Sequence, residues 1–442
     1  MSARICIVGT GYVGMACVIG LAQLGNEIRG YDVQLDRIER LRVGITPYRE
    51  QGLEAALKRE LASGRVNFFD DLQEAASCAD VIIIAVGTPS RDDGSCDLSA
   101  MHAAIAALGD VKFSKRPTIV IRSTVPPGSS DMLAPAIELY GDVIYAPEFL
   151  REGSAIFDFL NPDRIVVGSM TPAVALPYVR LLEPLHKPVL FTSLINAELI
   201  KCCSNAFLAL KISFANEVAN LCDAVHAGAD DVLRGIGYDK RIGSAFLNPG
   251  IGFGGPCFEK DVKSIHHVAG MHDSGRELFA ATLRVNERQP NRIIETLEDE
   301  LGNLAGREIG VWGLAFKSGT DDTRDSLAIR MVHELVRRGA SVIAYDPAVR
   351  VAPLPANCRM ASSALEAASA DALLVLTEWP AFAQINPADY AGSVRSGVVV
   401  DGRNVLDADR VQAAGLWYRG VGRRSVPVLS AGERNIVEAV AL

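Results

Sequence analysis

Several features that mark other classes of protein are missing from this chain of 442 residues. It contains no apolar run of about 18 residues or more, the length needed to span a membrane, so we expect no membrane partner. It also lacks a cluster of Lys and Arg, and its formal net charge is -9. A nucleic-acid-binding protein usually carries a basic patch, so no nucleic-acid partner is expected. The first residues lead directly into a strand pattern, and we expect no signal peptide.

Paired cysteine motifs are also absent. The nine cysteines are an odd number and contain no CxxC pair. They are scattered along the chain, at Cys6, Cys17, Cys78, Cys96, Cys202, Cys203, Cys222, Cys257 and Cys358. This distribution argues against a disulfide framework and against a zinc site, so no metal is expected. A reducing, cytoplasmic setting fits the cysteine usage.

Apolar runs and helical patterns alternate over the first part of the chain. Residues 4–9 form a short apolar run that ends at glycines, residues 14–25 have a helical pattern, and residues 27–33 form a second strand pattern. Further strands are predicted at 81–86, 118–122 and 143–146. Such alternation predicts a parallel sheet with helices on both of its faces.

The pattern changes near residue 195. Residues 196–227 have a helical composition over a length of about 45 Å, and a second helical stretch is predicted over 261–301. Alternation resumes afterwards, with strands predicted at 308–312, 341–345, 372–376 and 397–400 and a helix at 325–338. We therefore predict an α/β protein with two Rossmann-like, doubly wound domains, 1–195 and 301–442, joined by a central all-helical region, 196–300, with a long spine helix.

The glycines after the first strand form a dinucleotide-binding pattern. Gly9, Gly11 and Gly14 give the motif GxGxxG, which follows a strand and opens a helix. Asp32 follows the next strand, where its carboxylate would accept hydrogen bonds from ribose hydroxyls and repel a 2′-phosphate. The context favours NAD over NADP. The alternative is a glycine turn that serves only helix–strand packing.

The corresponding turn of the second α/β region differs. Its first strand ends in GLAFK (313–317), with a single glycine, although Asp346 follows a later strand. We do not expect this half to hold a second dinucleotide in the same way.

One cysteine lies in an unusual setting. Cys257 belongs to the segment GFGGPCFEKD (252–261), in which glycines permit close approach of a ligand. A neighbouring cation such as Lys260 can lower the pKa of a thiol and make the thiolate available. We favour Cys257 as a nucleophile over a structural cysteine in a tight turn. For Cys202 and Cys203, on the long helix, a structural role is the simpler interpretation.

Other polar residues are ambiguous from their spacing. Lys201 and Asn205 share one helix face and would suit oxyanion stabilisation, but an exposed polar stripe is the simpler interpretation. Glu148 and Glu152 follow an apolar strand, as does Thr124. Residues after strand ends can line a ligand site in an α/β sheet, but these three could equally serve as helix amino-terminal acids and a cap.

The motifs together resemble the nucleotide-sugar 6-dehydrogenase family, most closely its UDP-glucose-oxidising members. The matching blocks extend almost from end to end, and they are GTGYVG (9–14), VGTP (86–89), STVPPG (123–128), PEFLREGSA (147–155), NPDRIVVG (161–168), AELIKCCSNAFLALKISFANE (197–217), KRIGSAFLNPGIGFGGPCFEKDV (240–262), GLAFKSGTDDTRDS (313–326), TEWPAF (377–382) and DGRN (401–404).

The resemblance implies a four-electron oxidation of a sugar C6 alcohol by two NAD molecules. It makes Cys257 the nucleophile that forms a thiohemiacetal and then a thioester, and it gives Lys201 and Asn205 the role of oxyanion stabilisers. Asp261 would act as a base through a water. Glu148 would serve as acid and base in thioester hydrolysis, with Glu152 near the cofactor and sugar and Thr124 ordering the water.

The resemblance also implies two sets of binding residues. Cofactor contacts would come from Gly9, Gly11, Tyr12, Val13, Gly14, Asp32, Arg37, Thr88, Thr124, Glu152 and Arg324. Substrate contacts would come from Phe149, Leu150, Arg151, Lys201, Asn205, Arg241, Phe246, Leu247, Asn248, Gly254, Phe316, Lys317 and Arg403. A homodimer or larger homo-oligomer is expected, with the long helix as a dimer spine.

The sequence departs from the family pattern at several positions. Pro256 stands where the family often has serine, Glu259 where it often has proline, and Ala146 where it often has asparagine. The family block EPGL is EQGL here, with Glu50 retained. These changes leave the catalytic side chains in place but affect the choice of substrate. GDP-mannose, TDP-glucose or another nucleotide hexose are alternatives, as is a non-catalytic nucleotide-sugar sensor.

Overall fold

The computed structural model describes residues 2–423. These residues form two compact units, each assembled from separate stretches of the chain. The first contains the residues up to Phe207 with Cys257–Ala280 and Gly319–Asp321, and the second contains Leu208–Pro256, Ala281–Ser318 and the residues from Asp322 onward. The residues predicted to form the central helical region are thus divided between the two units, and the predicted end of the last domain, at residue 442, lies outside the described residues.

An eight-stranded sheet forms the centre of the first unit. Its strands lie in the order β3-β2-β1-β4-β5-β6-β7-β8, and all neighbours are parallel except β6 and β7. Their bounds are β1 Arg4–Val8, β2 Glu27–Tyr31, β3 Val66–Phe69, β4 Val81–Ile84, β5 Thr118–Ile121, β6 Asp142–Tyr145, β7 Ile165–Gly168 and β8 Val189–Thr192.

A six-stranded, fully parallel sheet forms the centre of the second unit, in the order β11-β10-β9-β12-β13-β14. Its strands are β9 Glu308–Trp312, β10 Ser341–Tyr345, β11 Cys358–Met360, β12 Ala372–Val375, β13 Val398–Asp401 and β14 Trp417–Gly420. In both sheets the strand order reverses once, beside the first strand, and such a reversal opens a crevice at the carboxyl ends of the strands.

The helices include one of 32 residues, α9. In chain order they are α1 Tyr12–Gln23, α2 Leu35–Arg42, α3 Leu53–Ala62, α4 Leu72–Ala76, α5 Ser99–Leu108, α6 Ser129–Ile137, α7 Ala155–Leu160, α8 Pro172–Leu182, the 3₁₀ turn Glu183–Leu185, α9 Leu194–Val225, α10 Ala229–Gly237, α11 Phe258–Met271, α12 Glu277–Leu301, α13 Leu327–Arg337, α14 Ala364–Ala368, α15 Pro380–Gln384, α16 Ala388–Ala391 and α17 Ala408–Ala413.

Alternate residues of the first strands enter two separate cores. Ile5 and Ile7 pack into one apolar cluster, whereas Cys6 and Val8 pack into another. Successive side chains of a strand point to opposite faces, so both faces of the sheet are covered. This double burial explains why the strands are continuous apolar runs rather than alternating patterns.

The predicted α/β class with two Rossmann-like sheets is confirmed, and the helical stretch predicted over 261–301 has one interruption that the sequence analysis did not predict. The stretch predicted as helical over 261–301 is two helices, α11 and α12. Asp273, between them, adopts a positive φ of 50°, which an α-helix cannot continue through. Within residues 2–423, no helix combines the length and the apolar character that a membrane span requires.

Candidate active site

The glycine-rich turn has the geometry of a dinucleotide site. Gly9 has a φ of 94°, and a Cβ there would lie 2.6 Å from the Ala85 carbonyl oxygen. A Cβ on Gly14 would lie 1.9 Å from the Gly9 oxygen, whereas a Cβ on Gly11 would meet nothing within 4 Å. The outer two glycines therefore permit tight packing, and Gly11 leaves open the space through which a pyrophosphate can approach the start of α1.

Asp32 lies beside this turn and is ionised. Its carboxylate accepts hydrogen bonds from the backbone N–H groups of Thr10 and Gln34, at 2.8 and 3.0 Å, and forms an ion pair of 2.8 Å with Arg37. Burial opposes ionisation, but these donors and the cation together lower the pKa of Asp32. The residues present thus fit NAD, with the acid where the ribose hydroxyls would bind.

Two further predicted cofactor residues contact each other. The Thr88 hydroxyl donates a hydrogen bond of 2.7 Å to the carbonyl oxygen of Thr124. This bond joins the loop after β4 to the loop after β5. It places both threonines at the carboxyl edge of the sheet, where ligands of parallel sheets bind.

The corresponding turn of the second unit also contacts an acid, Asp346, which follows β10. Asp346 accepts hydrogen bonds from the N–H groups of Leu314 and Ala315, at 2.8 and 3.0 Å, and from the Trp379 indole at 3.1 Å. Asp346 thus stands beside this turn as Asp32 stands beside the turn of the first unit, where it accepts a hydrogen bond from the N–H of Thr10. The expectation that the second half does not hold a dinucleotide in the manner of the first stays a prediction.

A buried ion pair lies at the carboxyl end of β6. Glu148 accepts a hydrogen bond of 2.6 Å from the N–H of Leu150, and its Oε1 lies 2.9 Å from the Nζ of Lys201. Burial opposes charge on both groups, but the mutual attraction lowers the pKa of Glu148 and raises that of Lys201. Both groups are charged, and Glu148 is therefore present as a base.

A second polar pair is formed one helical turn further along α9. Asn205 donates a hydrogen bond of 2.6 Å to Asp261, and the other carboxylate oxygen of Asp261 lies 2.5 Å from Lys260. Asn205 and Asp261 are both buried. The interpretation of Lys201 and Asn205 as an exposed polar stripe is therefore wrong, because both side chains are enclosed and hydrogen-bonded. Lys260, which the sequence placed beside the thiol, is part of the same group.

Cys257 stands at the amino-terminal cap of α11, next to this polar group. The residue keeps an exposed face, but desolvation of the sulfur raises the pKa of its thiol to about 12. Glu148 and Asp261 add to the increase in pKa, whereas Lys201 opposes it. The expectation that a neighbouring cation leaves this thiol with a low pKa is therefore wrong, because two carboxylates face it as well.

The segment that follows Glu148 carries the other predicted residues of the first unit. The guanidinium of Arg164 lies over the ring of Phe149, with its central carbon 3.7 Å from the centroid of that ring. Arg151 is exposed and forms an ion pair of 2.6 Å with Asp158. Glu152 is half-buried and close enough to Cys257 to influence the titration of the thiol. Leu150 contributes an apolar side chain to the core.

The remaining predicted substrate residues belong to the second unit. Arg241 is exposed and ion-paired to Asp239, and Phe246 has a positive φ of 63°. Asn248 is exposed, whereas Leu247 is buried. Gly254 packs so closely that a Cβ would lie 2.7 Å from the carbonyl oxygen of Asp325.

Arg403 organises backbone groups within the second unit. Its guanidinium donates to the carbonyl oxygens of Leu376 and Gly252, each at 3.0 Å, and of Phe316 at 3.4 Å. Arg324 is exposed and paired with Asp322, and Lys317 is half-buried. The side chain of Arg403 thus holds three loops, which its sequence motif did not indicate.

Sequence reasoning missed two buried residues of the first unit that support the polar group. Glu198, three positions before Lys201 on α9, accepts hydrogen bonds of 2.6 Å from the N–H groups of Gly128 and Ser130. Arg122 donates to the carbonyl oxygens of Ala146 and Pro147, at 3.0 Å each, directly before Glu148. The only sequence signals for these two residues were that Glu198 is an acid on an apolar helix and that Arg122 follows an apolar strand.

A dinucleotide-binding turn in one sheet, with a thiol beside a lysine and two carboxylates, defines an NAD-dependent dehydrogenase. The comparison with known proteins narrows this class. The chain belongs to the UDP-glucose/GDP-mannose dehydrogenase family, because residues 3–190 match its NAD binding domain, 195–288 its central domain and 310–408 its UDP binding domain. Its activity is that of an NAD-dependent nucleotide-sugar dehydrogenase.

Relatives match along nearly their whole length. The chain is 38% identical to the UDP-glucose 6-dehydrogenase YwqF of Bacillus subtilis, covering 96% of this chain and 98% of that protein. It is 38% identical to a UDP-glucose 6-dehydrogenase of Pseudomonas aeruginosa, covering 95% and 97%. The solved UDP-glucose dehydrogenase of Pyrobaculum islandicum superposes with a TM-score of 0.90, at 38% identity over 96% of this chain and 98% of that one. The UDP-D-ManNAc dehydrogenase of Pyrococcus horikoshii gives 0.86 at 28% identity, over 96% and 100%.

Proposed function

We propose that this protein oxidises UDP-glucose at C6 to UDP-glucuronate. One UDP-glucose, two NAD⁺ and one water give one UDP-glucuronate, two NADH and three protons. The observation that carries the proposal is the polar group around Cys257, in which Lys201, Glu148 and Asp261 act on the thiol. Covalent capture by a thiol divides a four-electron oxidation into two hydride transfers and keeps the aldehyde bound.

The first oxidation and the capture of the aldehyde use the acidic and amide side chains. When bound, NAD accepts a hydride from C6 in each of the two oxidations. Asp261, through a water, takes the proton of the C6 hydroxyl. The sulfur of Cys257 then bonds to the aldehyde carbon as its S–H bond breaks, and the thiol proton passes through the same water to the former carbonyl oxygen. Lys201 and Asn205 stabilise the negative charge that develops on the former carbonyl oxygen, giving a thiohemiacetal.

The second oxidation converts the thiohemiacetal to a thioester, which water then cleaves. Glu148 is suited to accept the proton of this water because it is held in its ionised form by Lys201 and the N–H of Leu150. The C–O bond forms, the C–S bond breaks, and the sulfur regains a proton. Thr124 orders the water in this scheme, and Glu152 lies beside cofactor and sugar.

UDP-glucose is proposed over other nucleotide sugars on the basis of the relatives. Several relatives at 36 to 39% identity are UDP-glucose 6-dehydrogenases, whereas the UDP-D-ManNAc dehydrogenase is 28% identical. The thiol loop also keeps the FLNPGIGFGG sequence typical of the UDP-glucose-oxidising members. Arg241, Lys317 and Arg403 supply cations for a diphosphate in this proposal.

An NADH-formation assay across UDP-glucose, UDP-ManNAc, GDP-mannose and TDP-glucose tests the proposal. We expect the highest kcat/KM with UDP-glucose and two NADH for each molecule consumed. One NADH per molecule with release of an aldehyde would contradict the mechanism. A preference for another sugar would change the substrate and leave the mechanism in place. Binding of a nucleotide sugar without any NADH would favour the sensor alternative.

We also propose that the protein is a homodimer formed through α9. Four apolar side chains of this helix are exposed on one face, and we refer to Phe207, Phe214, Leu221 and Val225 as the apolar stripe. The first three are spaced by seven residues, the repeat with which helices pack against each other along a seam. A second copy of the chain is the occupant proposed for this face.

A further inference from the structure

Glu50 keeps the first residue of the family block that is EQGL (50–53) here, but neither the mechanism nor the predicted binding sites use it. It is nearly buried, in the segment just before α3. A buried carboxylate must be hydrogen-bonded, because an unpaired charge in a protein interior is costly. The partners of Glu50 therefore indicate what it does.

The side chains of Glu50 and Tyr12 connect two predicted cofactor elements of the first unit. The Tyr12 hydroxyl donates a short hydrogen bond to one carboxylate oxygen of Glu50. The same hydroxyl accepts a bond of 2.6 Å from the N–H of Gly153. The second carboxylate oxygen accepts a bond of 3.1 Å from the N–H of Ile156, in the first turn of α7. Tyr12 belongs to the glycine-rich turn, and the loop 151–156 carries Glu152.

Tyr12 is itself held in place by a second tyrosine. Its ring centroid lies 4.5 Å from that of Tyr48, whose hydroxyl donates a hydrogen bond of 3.1 Å to the backbone oxygen of Tyr12. Burial, and after it the hydrogen bond to Glu50, raises the pKa of the Tyr12 phenol, so it stays a donor at every ordinary pH.

The backbone of the loop is shaped for this contact. Gly153 has a φ of 83°, and a Cβ there would lie 2.9 Å from the carbonyl oxygen of Gly319. Only glycine can present its N–H to Tyr12 in this position without strain or a clash. Glu152, immediately before it, is close enough to Tyr12 to influence the titration of the phenol.

We propose that Glu50 and Tyr12 form a latch that positions the loop carrying Glu152 against the glycine-rich turn, so that NAD meets both elements already assembled. Glu50 is a positioning residue in this arrangement, since it acts through the loop and not on the reacting atoms. The proposal rests on NAD binding at the glycine-rich turn and on the predicted role of Glu152, and it is independent of which nucleotide sugar is oxidised.

A double-mutant cycle on NADH binding tests the latch. The dissociation constant of NADH is measured from its fluorescence for the native chain, Glu50→Ala, Tyr12→Phe and the double variant. Each single variant is expected to weaken binding by roughly tenfold, the size of a lost hydrogen bond to a charged group. The double variant is expected to bind no more weakly than the weaker single variant, because both changes open the same latch. The proposal would be overturned if the changes in dissociation constant of the two single variants multiplied in the double variant, or if Glu50→Ala bound NADH with native affinity.

Matched variants separate positioning from loss of folding. Glu54→Ala removes an exposed glutamate in the first turn of α3, paired only with Lys58 in the described structure, and is expected to bind NADH like the native chain. Glu50→Gln keeps an acceptor for the N–H of Ile156 and is expected to restore part of the affinity lost in Glu50→Ala. In steady-state assays, Glu50→Ala is expected to raise the KM for NAD and to leave the KM for the nucleotide sugar unchanged. A uniform fall in kcat with both KM values unchanged would contradict the latch. Because NADH binding needs no sugar, a wrong substrate assignment leaves the binding result unaltered.

Discussion

Cys257 is subject to opposing electrostatic influences. Its position at the cap of α11 and the charge of Lys201 favour a thiolate, while desolvation and the two carboxylates of Glu148 and Asp261 favour the thiol. The balance raises the pKa of Cys257 to about 12, so the sulfur is neutral at neutral pH. A neutral thiol resists adventitious oxidation and becomes nucleophilic only when its proton is removed during the reaction.

This balance predicts the pH dependence of alkylation at Cys257. The rate with iodoacetamide should rise about tenfold for each pH unit through the range from pH 7 to 10, because the thiolate fraction grows in that proportion below the pKa. Lys201→Met should slow the reaction at a given pH, since the cation lowers the pKa, and Glu148→Gln should accelerate it. Peptide mass spectrometry distinguishes alkylation of Cys257 from alkylation of Cys203. Cys203 serves as an internal control, because its pKa is raised by burial alone. An inflection near pH 7 would contradict the assignment.

Glu148→Gln should separate the hydride transfers from hydrolysis. The glutamine cannot accept a proton from water, so in the proposed mechanism the thioester should accumulate on Cys257 and a burst of about two NADH per subunit should precede slow turnover. A fall in kcat of about 10²- to 10³-fold is expected for loss of a general base. Stopped-flow absorbance measures the burst, and intact mass spectrometry detects the adduct.

Two controls accompany this variant. Glu138→Gln makes the same change at an exposed position and should leave the kinetics unaltered. Removing one partner of a buried ion pair destabilises a fold by about 3–5 kcal/mol, so circular dichroism must confirm that Glu148→Gln is folded. Steady-state turnover at the native rate would remove Glu148 from hydrolysis.

At the scale of elements, two glycines of one turn are predicted to respond differently to alanine. Gly11→Ala adds a methyl group in open space, so the fold should keep its stability while NADH affinity falls by tenfold or more, because the methyl group enters the path of the pyrophosphate. Gly14→Ala forces a Cβ to within 1.9 Å of the Gly9 carbonyl oxygen and should also destabilise the fold, by about 1–3 kcal/mol.

Urea unfolding and NADH fluorescence measure the two effects separately. A lowered midpoint in Gly14→Ala and an unchanged midpoint in Gly11→Ala would support the assigned roles of the glycines. Equal destabilisation in both variants, or full NADH affinity in Gly11→Ala, would show that the turn does not approach the pyrophosphate through Gly11.

The glycine-rich turn of the first unit was predictable from the sequence, because its features are local. The strand, the glycines and Asp32 lie close together in sequence, and each contributes a separate signal. The pairing of Lys201 with Glu148 was not predictable from spacing, because it depends on how α9 packs beside the end of β6. The break between α11 and α12 was missed for a related reason. Asp273 with its positive φ replaces the glycine that would have marked a helix end in the sequence.

At the scale of the whole molecule, the arrangement of apolar surface is informative. Phe207, Phe214, Leu221 and Val225 are between 49% and 62% exposed, although they lie on a helix whose opposite side is buried. Contiguous apolar side chains on a helix face usually mark a surface that is covered by another element. Burial gains about 25 cal/mol for each Å² of apolar surface removed from water, so a long stripe favours association.

The apolar stripe predicts the response of the assembly to a single charge. The native chain should have a mass in solution of twice its 47.3 kDa, because in the proposed dimer two copies of α9 would cover each other's stripe. Leu221→Glu places a carboxylate in that seam and should shift the mass to that of one chain at micromolar concentration, since an unpaired buried charge is not tolerated. Light scattering after size-exclusion chromatography measures the mass. Met170→Glu, at an exposed apolar residue away from α9, should leave the dimer intact. A native monomer, or a Leu221→Glu variant with the native mass, would show that the stripe is not the seam.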